Sequence, residues 1–434
     1  MKTLLLRGVR CFNEEQRIPI RPVTLLVGEN STGKSTVLAM LRAAWDVAFR
    51  GVEPDFNEEP FDLGGYATIA HYHGGQAKRV HDFQVGAEVS GRSGSKGTRT
   101  VSGTFADRAG QPALVAWESK APGLLVRIAL PEDSPAKITV EHGNAQITEE
   151  LDVELPHRGR TWFPFHVVSA LEGKLLETRR EAERSPSRKE TAVLRALWSM
   201  RLGAVEPRPI AGAPIRSKPK RTYDLRRDAP EPEGSHVPMT LATLHATDHD
   251  EFQRIAKSIE HYGRDAGLFS GLDVKPLGKK PGVPFQLSVT VDRHAFNITD
   301  VGYGVSQVLP ILFDTLAAPV GQTFLMQQPE VHLHPRAQAA LGSLLVAQAC
   351  SRGQRFVVET HSDYLVDRVR MEVRDRRGPK PLRPQDVAIL YFERASGKAT
   401  VHEISIDDQG NLVNAPPGYR RFFLEEERRV LGFA

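Results

Sequence analysis

Two cysteines, Cys11 and Cys350, are all that a chain of 434 residues contains. That scarcity excludes a disulfide framework and a four-thiolate zinc site, and it points to a reducing compartment, the cytoplasm. Long apolar runs are missing as well. The opening MKTLLLRGVRCF breaks at Arg7, too soon for a signal-peptide core or a membrane span, so an unprocessed chain with no membrane partner is expected. An excess of one charge is also absent: 57 basic against 53 acidic residues leave +4, too little to mark a nucleic-acid binder from the total. Any such surface must be local. There is no internal repeat, no low-complexity tract and no heptad run long enough for an extended coiled coil. What is present, 40% hydrophobic and 25% charged residues, fits a soluble globular protein of two or three domains or one elaborated domain.

The chain opens with alternating apolar and polar residues in TLLLRGVRCF and QRIPIRPVTLLVG, as strands require, then changes to helical spacing in KSTVLAMLRAAWDVAF. Strand, glycine-bearing loop and helix follow in that order. Between about Val80 and Glu150, the runs DFQVGAEVS, TRTVSGTF, PALVAWES, LLVRIAL and KITVEHG have period-two character, are separated by Gly, Ser, Pro and Asp, and read as an antiparallel sheet. Two charged helices broken at SPS are expected from Ala170 to Leu202. A Pro-rich basic segment follows from Glu206 to Asp228, and then a further helix over TLATLHATDHDEFQRIAKSIEHYG. From PFQLSVTV to about Arg370 the buried strands TFLMQ and RFVVET alternate with helices, which implies a mostly parallel sheet. The expected divisions are 1–79, 80–165, 166–284 and 285–434, in an α/β fold with an antiparallel lobe and an inserted helical arm.

GENSTGKST, from Gly28 to Thr36, fits G-x-x-x-x-G-K-[ST] directly after the strand VTLLVG. Glycines let the backbone wrap so that its N–H groups face phosphate oxygens, and the helix N-terminus adds its dipole. Lys34 brings a point charge to the β and γ phosphates, and Ser35 offers a hydroxyl to Mg2+. The candidate nucleotide contacts are Gly28, Asn30, Ser31, Gly33, Lys34, Ser35 and Thr36. In VGYGVSQVLPIL, Gly302 and Gly304 precede Ser306 and Gln307 at a helix start. Small residues and a serine there make either a second phosphate-reading surface or a glycine turn with Ser306 as an ordinary N-cap. TFLMQ is followed by Gln328, Pro329, Glu330, His332 and His334, while RFVVETHS ends at Glu359, Thr360 and His361. The two histidines of HLHP can share one face of an extended segment, but catalytic zinc usually takes three protein ligands and no third is nearby in sequence.

The order of phosphate loop, GxGxSQ, a strand with PEVHLHP and a strand with THS resembles the ATPase heads of the ABC type found in the structural-maintenance, RecF and OLD families. It is most similar to the predicted AAA-type ATPases of bacterial genomes that share the OLD-like head. The resemblance covers residues 1 to about 75 and 285 to 375. It implies that Gly304, Ser306 and Gln307 belong to the signature motif, that QQPE is a Walker B strand usually written EEPE, and that His361 is the switch histidine. It also implies a nucleotide sandwich with ATP and Mg2+, in which ATP on Lys34 of one subunit is closed over by Ser306 of another, and hence a homodimer or higher oligomer. The departure is at Gln327, which falls on the Mg2+-organising acid, and at Gln328, which falls on the residue that orients or deprotonates the attacking water. Neither amide can act as a general base, although a glutamine can position water. Glu330 and Glu359 are the acids left near the same strand ends; for Glu330 a helix-start acid facing the dipole is the competing reading. The candidates for catalysis are therefore Gln328, Glu330 and His361, and for the metal Ser35 and Gln327.

The segment RPIAGAPIRSKPKRTYDLRRD carries Arg208, Arg216, Lys218, Lys220, Arg221, Arg226 and Arg227, and reads equally as a DNA or RNA surface or as a solvated loop. Arg420, Arg421, Arg428 and Arg429 are interleaved with LEEE and read as a solvated helix face. The resemblance implies an ATP-binding, slowly hydrolysing head that dimerises and signals to nucleic acid or to a separate effector such as a nuclease, in bacterial anti-phage defence or DNA repair. Only 73 residues follow His361, so the TOPRIM nuclease domain of OLD proteins is not expected. A non-hydrolysing, ATP-dependent scaffold or switch is the alternative. A transporter ATPase subunit fits less well, because the long antiparallel region is unlike those compact subunits.

Overall fold

The computed structural model describes residues 1–72, 74, 79–90, 97–132, 134–151, 169–171, 173–174, 191, 206–224, 229–278, 282–395 and 398–432. The helices expected over 170–202 fall largely outside the described residues, as do Arg226 and Arg227. The chain folds as two compact units, each assembled from separated stretches: Met1–Ile20, Ser31–Arg208 and Arg394–Val401 in the first, and Arg21–Asn30, Pro209–Glu393 and His402–Ala434 in the second.

After β1 (Thr3–Arg7) and β2 (Gln16–Pro19) the chain enters β3 (Val23–Gly28), then α1 (Lys34–Trp45), a π-helical turn over Asp46–Arg50 and the short α2 (Tyr66–Ile69). Six strands follow: β4 (Asp82–Ser90), β5 (Thr98–Arg108), β6 (Gln111–Ala121), β7 (Leu124–Ala129), β8 (Ala136–His142) and β9 (Ala145–Leu151). In the first unit they extend the β1–β2 pair into an eight-stranded antiparallel sheet of order β2-β1-β4-β5-β6-β7-β8-β9. Its alternating residues bury one face around stacked Phe83 and Phe105 (5.3 Å between ring centroids), with Phe56 edge-on to both. Trp117, also fully buried there, donates its indole N–H to the Val47 carbonyl at 3.2 Å, which satisfies the polar end of a large apolar side chain.

The second unit contains β10 (Ile210–Gly212), α3 (Val237–Thr247), α4 (His249–Ala266), β11 (Gly271–Pro276), β12 (Phe285–Val291), β13 (His294–Asn297), α5 (Tyr303–Ala317) and β14 (Thr323–Gln327). It continues with α6 (Pro335–Arg352), β15 (Arg355–Glu359), α7 (Asp363–Asp375), β16 (Val387–Ala395), β17 (Lys398–Ile406), β18 (Leu412–Val413) and α8 (Arg421–Val430). The tip of the β16–β17 hairpin, Arg394–Val401, belongs to the first unit. Seven strands in the order β10-β14-β15-β3-β16-β17-β18 form the central sheet. From β10 to β16 every pairing is parallel. Near-continuous apolar runs explain this, because Leu25, Leu325, Val357 and Ile389 are wholly buried, as strands covered on both faces must be.

The single helix expected over TLATLHATDHDEFQRIAKSIEHYG is two. Asp248 ends α3 and caps α4, its carboxylate accepting the Glu251 N–H at 3.1 Å. Along α4, Phe252, Ile255, Ala256, Ile259, Tyr262 and Ala266 form a buried stripe of helical period, and Gly267 ends it in a left-handed turn. Among the described residues no helix is long and apolar enough to cross a membrane.

Candidate nucleotide site

Parallel strands deliver their loops at their carboxyl ends, and ligands of open α/β sheets bind there. In the second unit the pairs Gln327↔Glu359, Glu359↔Leu26 and Gly28↔Phe392 put the ends of β14, β15, β3 and β16 side by side. Gly28 has φ 133°, and a Cβ on it would lie 2.3 Å from the Phe392 carbonyl oxygen. Only glycine lets the chain leave the sheet at this point. Glu29 and Asn30 then follow, both exposed.

The rest of the loop belongs to the first unit. Ser31 (φ 62°) and Gly33 (φ 104°) are both left-handed, a wrap that turns successive backbone N–H groups to one side. Gly33 serves as the cap of α1, which has no side-chain cap and no acidic residue in its first turn. A helix start with neither cap nor carboxylate suits an anion. Lys34 and Thr36 are buried in that turn and Ser35 is exposed. Beneath the loop a Cβ on Gly33 would meet Cys11 Sγ at 2.6 Å and the Phe12 ring at 2.8 Å, so these two side chains form its floor. Cys11 Sγ lies 3.7 Å from the Thr32 carbonyl, and burial pushes its thiol up, away from nucleophilic use.

In the second unit, β14 ends at Gln327, and Gln328 adopts φ 42° while its N–H donates to the Glu359 carbonyl at 2.8 Å. This left-handed residue turns the chain so that Glu330 faces inward. Glu330 is 7% exposed; its Oε1 accepts the His361 N–H at 2.7 Å, and its Oε2 is buried with no hydrogen-bond partner among the described residues. Burial holds its carboxyl above the usual carboxylate range. The His361 N–H, its own backbone N–H, the Thr360 hydroxyl and the charge of Arg216 act the other way. Glu330 is thus a buried acid of the loop after β14, tied to the segment after β15, and not a helix-start acid, since α6 begins only at Pro335. Glu359 is buried at the end of β15, His361 is exposed, and Ser362 caps α7 through Leu365 N–H at 3.0 Å.

Ser306 is the fourth residue of α5 and not its cap, a place taken by Gly302. It is buried, and its hydroxyl donates to the Tyr303 carbonyl at 2.8 Å. Gln307 is 1% exposed, with Nε2 unpartnered among the described residues. Gly302 and Tyr303 are the exposed members of the turn. A Cβ on Gly304 would come within 2.7 Å of the His332 carbonyl oxygen, and the Tyr303 and His332 rings meet edge to face at 5.0 Å. The Gly302–Gln307 turn and the HLHP loop therefore pack on one another. His334 accepts the Arg336 N–H at the start of α6, so capping and ring packing account for both histidines. Among the described residues no group of three or more His, Cys, Asp or Glu could hold a metal.

Part of the basic strip is paired or buried within the protein. Arg208 forms ion pairs with Asp46 at 2.7 Å and Glu58 at 2.5 Å, and Arg221 pairs with Asp300. Arg216 is 5% exposed. Of the strip's five described cations, Arg208 is paired and Arg216 buried, Arg221 pairs at the surface, and Lys218 and Lys220 are exposed. Arg420 likewise bridges Asp363 and Asp367, so it is a tether where a solvated face was expected. Nothing in the sequence showed that Arg216 would be buried or that Cys11 and Phe12 would lie beneath Gly33. A three-residue strand and a two-residue contact leave no periodic signal.

Residues 213–367 match the family described as "AAA domain, putative AbiEii toxin, Type IV TA system", and residues 382–426 match one described as a protein of unknown function (DUF3696). No curated protein matches. Solved structures that match include an SMC head bound to the C-winged helix domain of ScpA, with 9% identity and TM-score 0.45, over 93% of this chain and 97% of that one. Others are the SMC head domain from Thermotoga maritima (10%, TM-score 0.36, 93% and 99% covered) and an Smc head with an extended coiled coil bound to the C-terminal domain of ScpA derived from Pyrococcus furiosus (10%, TM-score 0.40, 98% and 99% covered). TM-scores below 0.5 decide nothing about function. The match to the AAA-domain family covers residues 213–367, about a third of the chain, and the glycine-rich loop Gly28–Thr36 lies ahead of it in the sequence.

Proposed function

We propose that the protein binds Mg-ATP at the Gly28–Thr36 loop and hydrolyses it slowly, with Glu330 as the proton acceptor in place of the acids replaced by Gln327 and Gln328. The observation that carries this reading is the buried Glu330 carboxyl, with one oxygen held by the His361 N–H and the other unpartnered, at the end of the strand bearing the two glutamines. A buried carboxyl raised from its ordinary range is suited to take a proton near neutral pH. In the step, the water oxygen bonds to the γ phosphorus as the bond to the β–γ bridging oxygen breaks. That electron pair leaves with ADP, and the water proton passes to Glu330 and then to solvent. Gln328 can orient the water but cannot take its proton.

The donors fit a Mg2+ that arrives with the nucleotide, since the Ser35 hydroxyl and the Gln327 amide oxygen are hard oxygen ligands, though neither carries charge. When bound, the ion neutralises phosphate charge. By the same reading, ATP on Lys34 of one copy meets the Gly302–Gln307 turn of another, and the dimer signals to a separate effector or to nucleic acid, in defence or DNA repair.

The test is phosphate release from Mg-ATP by the full chain, with and without DNA, beside Lys34→Ala and Glu330→Gln, with mass in solution measured alongside. Loss of turnover by at least about 100-fold in both variants is expected, as removal of a general base requires. Turnover lost only in Lys34→Ala would remove Glu330 from the reaction. ATP binding and dimer formation with no turnover would support the second reading, a switch without hydrolysis, which the two amides favour.

A further inference from the structure

We propose that Arg216 is a positioning residue for Glu330, its guanidinium holding the buried carboxylate in place for the water that attacks ATP. The inference rests on the hydrolytic reading above. Its ground is register. Strand β10 pairs in parallel with β14, Gly212 opposite Met326, and Arg216 and Glu330 each lie four residues beyond that pair. The two chains thus leave the sheet side by side, from the same edge.

Arg216 is 5% exposed, in a stretch whose backbone is held on both sides. The Ala213 N–H donates to the Pro232 carbonyl at 2.9 Å and the Ser217 N–H to the Glu233 carbonyl at 3.0 Å, which fix the backbone on both sides of it. Its Nη1 and the Glu330 Oε2 are both buried without a hydrogen-bond partner among the described residues. A purely structural buried arginine has its fork filled by carbonyls or carboxylates, because an unfilled one is costly. Here a cation and an anion, each buried with a vacant position and not in direct contact, follow neighbouring strands of the sheet, and each opposes the effect of burial on the other. Since Gln327 and Gln328 bring no charge, the only carboxylate of this loop is Glu330, and a buried carboxylate needs a nearby cation to stay ionised. Arg216 supplies it.

The experiment uses the full chain with Arg216→Met, Arg216→Lys, Glu330→Gln and the double variant Arg216→Met with Glu330→Gln. Phosphate release gives kcat and KM, and thermal unfolding gives the midpoint without nucleotide. The expected result is a kcat about 10- to 100-fold lower in Arg216→Met with KM changed less than about twofold, and recovery of most of that loss in Arg216→Lys. Arg216→Met should also lower the midpoint in the parent but much less in the Glu330→Gln background, where no carboxylate is stranded. Equal midpoint losses in both backgrounds, or an unchanged kcat, would overturn the proposal. A parent chain without turnover would defeat the hydrolytic reading alone, and the midpoints would still decide the pairing. Should Arg216→Met fail to fold, Arg216→Lys in the two backgrounds makes the same comparison.

Discussion

At Gly28 the absence of a single carbon decides whether the phosphate loop can exist. A Cβ would sit against the Phe392 carbonyl, and φ 133° is a conformation other residues rarely adopt, so two penalties fall on one substitution. Gly28→Ala is expected to cost at least about 2 kcal/mol of stability, measurable by urea unfolding, and to weaken ATP binding with it. Glu330 offers a test of sign. Burial holds its carboxyl above the ordinary range, so the folded protein keeps a proton at pH values where the unfolded chain has lost it. Ionisation of this group therefore costs stability above the unfolded pKa, and the cost grows until pH passes the folded pKa. Glu330→Gln should raise the melting midpoint at pH 8 relative to the parent by more than it does at pH 4; an equal change at both would show that the carboxyl is not perturbed. Lys34, Ser35 and His361 could be singled out from the sequence because they stand at motif spacings, and Glu330 because it is an acid close to one of them. The charge of Arg208 and Arg216 was legible too, but not its use. A run of basic residues reads as solvated until the acids that meet it, Asp46, Glu58 and Glu330, are brought across by the fold.

Elements differ in how plainly they announce themselves. TFLMQ, RFVVE and VTLLVG were readable as buried strands because each is a short, mostly apolar run, and the antiparallel runs between residues 80 and 150 because apolar and polar residues tend to alternate there. β10 escaped notice since IAG is too short for any period, and it is defined by its partner β14. β16 and β17 escaped because the alternation was followed only to about Arg370. The break at Asp248 was hidden by a continuous helical pattern on both sides. Its dual role gives a prediction: Asp248→Ala removes the cap of α4 and should cost about 1 kcal/mol, read from denaturant midpoints at unchanged m-value. Asp248→Asn should recover most of that loss. Ser306 shows the opposite case, where the motif was plain and the helix start was misplaced by four residues, since Gly302 and not the serine provides the cap.

Across the whole molecule, neither compact unit is a continuous stretch of chain. The central sheet takes β3 from near the N-terminus and sets it between β15 and β16. Expression of residues 209–434 alone would leave a gap in the middle of that sheet, and such a fragment is expected to lack a cooperative melting transition. A cooperative transition would mean that β15 and β16 can close directly on each other. The same threading bears on how the protein is made. Val23 pairs with Phe356, roughly 330 residues later in the chain, and at about 5–20 residues per second the ribosome needs roughly 15–70 seconds to supply that neighbour. Throughout that interval the nascent strand VTLLV, which leads into the glycine-rich loop, is an apolar segment without its sheet, and a cell that makes this protein must shelter it from aggregation until β15 has been made.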